Sequence, residues 1–96
     1  MNKTSTQYDK VITTCKDIFI KKMKDYGTAW RILRTSSITD QLFIKAQRIR
    51  NIEDKGNQKI DDDIRSEYIG IINYSIIGLI QLSMQTDNRM ELPVDE

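Results

Sequence analysis

Ninety-six residues and 11.2 kDa leave room for one small domain, and 39% hydrophobic against 30% charged residues, with one proline and four glycines, is a folding composition rather than a disordered or collagen-like one. One cysteine and no histidine exclude an internal disulfide, ordinary structural zinc and a serine–histidine catalytic pair, and point to a reducing compartment. The net charge of +1 conceals a dipole, because residues 21–50 hold eight basic and two acidic side chains and residues 51–96 hold four and ten. A near-neutral chain is not drawn to nucleic acid as a whole, so nucleic acid is not the favoured partner, although the basic middle third can gather phosphate locally. A domain of this size buries only about 60–65% of its unfolded surface, so a homodimer, or a second copy of the domain, is expected to complete it.

The opening residues, Met1 to Thr6, are polar and lack the apolar core of a signal peptide, which places the chain in the cytoplasm. From Tyr8 the apolar positions Val11, Ile12, Cys15, Ile18, Phe19 and Met23 follow in steps of three and four, the pattern of one helix face. This first helix ends near Tyr26, with Gly27 as its closing residue and Lys21, Lys22 and Lys24 at the negative end of its dipole. Residues 27–37 read as a connector with a short helical turn around Trp30 to Leu33. Ser37, backed by Asp40, predicts the cap of a second helix. On that helix Ile38, Leu42, Lys45, Ile49 and Ile52 fall within about 80° of one another and form a single stripe.

Glu53 to Asp63 reads as a solvated loop, and Asp61 to Asp63 stand where the third helix begins. Tyr68 to Leu82 is apolar on every side, which predicts a buried helix; it is too short, and with Asn73, Ser75 and Gln81 too polar, for a membrane span. The expected whole is an all-α domain over residues 1–96: three main helices in a small bundle, a core over about 6–85, and a polar acidic tail over 86–96.

Four places break the pattern. Lys45 lies inside an apolar stripe, so its ammonium either reaches water, pairs with an acidic residue of the third helix, or meets a phosphate. Arg48 follows one turn later, and Arg31 and Arg34 precede it in the connector, so several cations are available to one anion. On the third helix Glu67, Gly70, Tyr74 and Gly78 share a seam whose glycines allow close approach, with Glu67 placed to pair with Lys45 or an arginine. Asn73 stands among isoleucines, where a buried amide either fixes the register of a dimer interface or contacts a ligand. Lys24, Asp25, Tyr26 and Trp30 gather at one helix end, either as a packed cap or as a platform for a stacked base.

Taken together, Lys24-Asp25-Tyr26-Gly27-x-x-Trp30, Ser37-Ile38-x-Asp40, Lys45-x-x-Arg48-Ile49 and Glu67-x-x-Gly70-x-x-Asn73-Tyr74 resemble the nucleotide modification associated domain family over roughly residues 8–82. The resemblance implies a nucleotide or phosphate ligand. Its expected site is Lys45, Arg48, Arg31 and Arg34 on phosphates, Trp30 and Tyr26 near a base, and Lys24, Asp25, Asn73 and Tyr74 beside them, with Asp63 and Glu67 as metal or hydroxyl contacts. The chain is also similar, more distantly, to the MazG-like all-α nucleotide pyrophosphohydrolases, which implies a magnesium-dependent reaction on a nucleoside triphosphate. Two motifs depart from that pattern: Glu67-Tyr68-Ile69-Gly70 lacks the aspartate of Glu-x-x-Asp, and the first helix carries Val11, Ile12, Cys15 and Ile18 in place of its glutamates. Magnesium is therefore expected only if Asp25, Asp63 and Glu67 converge, and the chain alone is not expected to be an enzyme. A non-catalytic helical interaction module is the third reading.

Overall fold

A computed structural model describes residues 2–27, 35–55 and 60–87. These form three helices and, among the described residues, no strand: α1 (Lys3–Tyr26), α2 (Thr35–Lys55) and α3 (Ile60–Asp87). The all-α, three-helix expectation holds. No helix of the described residues is long and apolar enough to cross a membrane.

The helix ends are set by local chemistry. Asn2 is extended (φ −94°, ψ 163°), and its side-chain oxygen accepts the Ser5 N–H at 2.8 Å, which starts α1 five residues before the apolar pattern begins. The polar run at the N-terminus is thus helical, a correction that no hydrophobic period announces. At the other end Gly27 takes a positive φ of 73° and donates its N–H to the Met23 carbonyl at 2.7 Å, with Lys24 in the last turn. Ser37 is not the cap of α2. The helix already begins at Thr35, because Thr35, Ser36 and Ser37 offer the same hydroxyl chemistry in a row and only the backbone selects among them. The short turn expected around Trp30 to Leu33 lies outside the described residues.

The loop expected over Glu53 to Asp63 is largely helix: α2 runs through Lys55, and α3 starts at Ile60. Glu53, Asp54 and Lys55 form a charged face with no Gly or Pro to stop the helix before Gly56. Asp61 to Asp63 fall in the first turn of α3 as anticipated, and α3 continues to Asp87, past the start of the expected tail.

The buried apolar residues are Cys15, Ile38, Ile49 and Ile77. Ile38 and Ile49 belong to the stripe read from α2, while Leu42, Lys45 and Ile52 are half-buried beside them. α3 is the central helix, and its faces have different fates. One face lies on α2, where Gly78 sits so close to Ile38 that a Cβ would be 3.7 Å from its Cγ2. A second meets α1, where the buried Asn73 Nδ2 donates to the Cys15 carbonyl at 3.1 Å. The third carries Tyr68, Leu79 and Leu82, exposed to 52%, 64% and 51%. The expectation of a helix buried on all sides is corrected here, because the other two described helices do not cover these side chains. The stripe of α1 is likewise covered only in part: Cys15 is buried, but Tyr8, Val11 and Ile12 are exposed.

Candidate functional site

The pattern-breaking residues of α2 and α3 meet. Lys45 leaves the apolar stripe of α2 and lies flat across α3 at Gly70, where an added Cβ would stand 2.6 Å from its Cε, 2.8 Å from its Cδ and 2.9 Å from its Nζ. No side chain larger than hydrogen fits that slot while Lys45 occupies it. The slot carries the ammonium 3.4 Å from the Glu67 Oε1 and over the Tyr74 ring, 5.7 Å from its centroid. Arg48, one turn further along α2, places its Nη1 3.7 Å from the Glu67 Oε2. Glu67, Gly70 and Tyr74 can serve one lysine because steps of three and four return to the same side of a helix.

Two cations share one carboxylate, so the cluster carries an excess of one positive charge. Its pairings are loose, since a tight charged pair has heavy atoms about 2.7–2.9 Å apart and both distances here are longer. The Lys45 and Glu67 side chains are each exposed to 17%, whereas Arg48 is exposed to 58%. Glu67 is thus held from below by Lys45, and Arg48 keeps most of its donors in solvent. A guanidinium in that position offers a planar fork to an incoming phosphate or carboxylate.

The other expected residues fall elsewhere. Lys24 and Asp25 are exposed in the last turn of α1, and Tyr26 closes that helix. Trp30, Arg31 and Arg34 lie outside the described residues. Asn73 is buried on the α1 side of α3, where its Nδ2 donates to the Cys15 carbonyl of the same chain, while its buried Oδ1 has no hydrogen-bond partner among the described residues. Asp63 is exposed one turn before Glu67. Among the described residues no three carboxylate or cysteine side chains converge to hold a metal ion. Both Glu67 oxygens face cations, so this donor set does not fit a magnesium site, which needs oxygens turned towards the ion.

Two features escape a sequence reading. Gly70 is legible as a point of close approach, but nothing in the one-dimensional pattern says that the approaching group is the Lys45 side chain. The second is a cleft of about 520 Å³ between α1 and α3, lined by Lys10, Val11, Thr14 and Cys15 on one side and Ile64, Arg65, Tyr68, Ile69 and Ile72 on the other. It exists because α1 touches α3 over so short a stretch.

Fold and site define a small all-α domain with a loosely paired, net-positive cluster at a helix interface. The chain belongs to the nucleotide modification associated domain 1 family, whose sequence model matches residues 22–82, from the last turn of α1 through most of α3 and across the whole Lys45 cluster. No curated protein and no solved structure shows significant similarity to it.

Proposed function

We propose that this domain binds a nucleotide through its phosphates, with Arg48 as the solvent-facing contact and Lys45, anchored between Glu67 and Tyr74, as the charge behind it. The observation that carries the reading is the unequal pairing of the cluster: one carboxylate for two cations, both at long range, with the arginine largely exposed. An anion near Arg48 gains a charge-assisted partner without breaking the Lys45–Glu67 pair. The family name supports nucleotide chemistry in the broad sense, and the match covers these residues. In the same proposal Arg31 and Arg34 add phosphate contacts, and Tyr26 and Trp30 supply a surface for the base next to Lys24 and Asp25. The role is binding. Glu67 faces two cations, and among the described residues no group of three ligands gathers to hold a metal ion, so the reading does not route a hydrolysis through this cluster.

The test is a thermal-shift titration with nucleoside mono-, di- and triphosphates on the wild-type chain and on Arg48→Ala. A ligand specific for the folded state adds about 2.7 kcal/mol at a hundredfold excess over its dissociation constant, enough to move the melting temperature visibly. A shift that grows with phosphate number and is weakened at least about tenfold in apparent affinity by Arg48→Ala is expected, since a charged hydrogen bond contributes on the order of 1.5–3 kcal/mol. No shift with any nucleotide rules the proposal out.

A further inference from the structure

The hydrogen bond from Asn73 to Cys15 fixes a point where α3 and α1 touch, and with it the orientation of the cleft beside them. On α1 the lining residues run from Lys10 to Cys15, at or before that point; on α3 they run from Ile64 to Ile72, all before it. The two helices therefore lie in the same direction here, and the cleft extends from the contact towards their N-terminal ends. With a rise of about 1.5 Å per residue, Lys10 stands about 8 Å and Arg65 about 12 Å along its helix from the contact.

Chemistry is sorted along that length. Buried Cys15 and half-buried Ile69 and Ile72 line the end next to the contact, whereas Lys10 and Arg65 stand exposed at the other end. The Thr14 hydroxyl donates to the Lys10 carbonyl of its own helix at 3.1 Å, so it brings no free donor to the apolar end. Both cations are unpaired: among the described residues no carboxylate lies within ion-pair distance of Lys10 or Arg65, and none lines the cleft.

We infer that this cleft is a second ligand site, which takes a small amphipathic anion with its apolar body against Cys15, Ile69 and Ile72 and its acidic head between Lys10 and Arg65.

Size, lining and charge each narrow the class of ligand. The volume of about 520 Å³ lies within the roughly 300–1,000 Å³ of clefts that hold small molecules. The isoleucine end offers no hydrogen-bond partner, so a base or a sugar buried there would leave its polar groups unsatisfied, whereas a hydrocarbon body loses nothing. Two unpaired cations at the open end attract an anionic head and repel a cationic one, and a head held there keeps part of its hydration.

The inference does not rest on nucleotide binding, because Lys45 and Glu67 lie where α3 faces α2 and the cleft lies where α3 faces α1. Its test is methyl NMR of the 96-residue chain labelled at its isoleucine δ1 carbons, titrated with decanoate below its micelle concentration. Saturable shifts are expected at Ile64, Ile69 and Ile72, while Ile38 and Ile49 of the α2–α3 contact stay in place. Acetate supplies the head without the body, and decyltrimethylammonium supplies the body with the opposite head; each should bind at least about tenfold more weakly than decanoate. A chain carrying both Lys10→Gln and Arg65→Gln keeps the apolar walls and should lose at least about tenfold in affinity for decanoate. Its circular dichroism should match the wild type, since both residues are exposed. Should that variant fold poorly, the three probes on the wild type still decide the question. Absence of shifts at Ile64, Ile69 and Ile72 overturns the site, as do shifts of equal size at Ile38 and Ile49, which mark detergent-like binding. Equal affinity for decanoate and decyltrimethylammonium overturns the assignment of an anion.

Discussion

α2 and α1 both pack on α3, yet they do so in different ways. The α2–α3 contact is long, closed over Ile38 and Ile49, and fitted so closely at Gly70 that a lysine side chain lies on the bare backbone. The α1–α3 contact is short: it includes the buried Cys15 and its hydrogen bond from Asn73, and it leaves an open cleft beside it. The residues matched by the family, 22–82, take in the whole of the first contact and little of the helix that makes the second. The candidate chemistry therefore lies in the α2–α3 pair, and α1 is expected to open at lower free energy than that pair. Regions with few buried apolar contacts open at lower free energy than the unit they rest on.

The contrast can be broken most strongly at Ile38. Its side chain is exposed to only 3% and rests against Gly78, so Ile38→Ala leaves a cavity in the close-packed contact and should cost on the order of 2–5 kcal/mol in chemical denaturation. A loss below about 1 kcal/mol would mean that α2 and α3 repack freely, and the proposed division of labour would fall. Asn73→Ala attacks the other contact. It removes the amide that donates to the Cys15 carbonyl, at a cost on the order of 0.5–1.5 kcal/mol. Hydrogen exchange should locate that loss: α1 amides should exchange faster while those of α2 and α3 keep most of their protection. Equal loss of protection in all three helices would show that α1 is part of one cooperative unit.

How much of this was written in the residues depends on whether a signal was local. The stripe through Ile38, Lys45 and Ile49, the closing turn at Gly27 and the start of α3 at its aspartates were all readable, because each rests on neighbours within a turn of helix. The partnership of Lys45 with Glu67 was readable as one of three outcomes for a charge on an apolar stripe. The packing of α2 against α3 was needed to select it. Asn2 as a cap was not readable, since a polar run has no period to interrupt. The fate of α3 was least legible of all. An apolar residue at every position says that each face wants cover, but it does not say which neighbour supplies it or that one face stays open.

The finest test of the α2–α3 fit compares two glycines on the same face of α3. At Gly78 an added Cβ meets only the Ile38 Cγ2 at 3.7 Å, an ordinary contact, so Gly78→Ala should stabilise the chain by about 0.5–1 kcal/mol through helix propensity alone. At Gly70 the same methyl group would overlap Lys45, which must lift off the backbone and away from Glu67 and Tyr74 before any propensity is gained. Gly70→Ala should therefore gain less than Gly78→Ala, and in a Lys45→Ala background the shortfall should vanish, leaving a coupling on the order of 0.5–1 kcal/mol between residues 45 and 70. Equal gains at both glycines, with or without Lys45, would mean that the lysine is a passing surface side chain and not a fitted part. A coupling confined to Gly70 instead makes the slot a feature of the site, because the position of the ammonium behind Arg48 then depends on a missing methyl group.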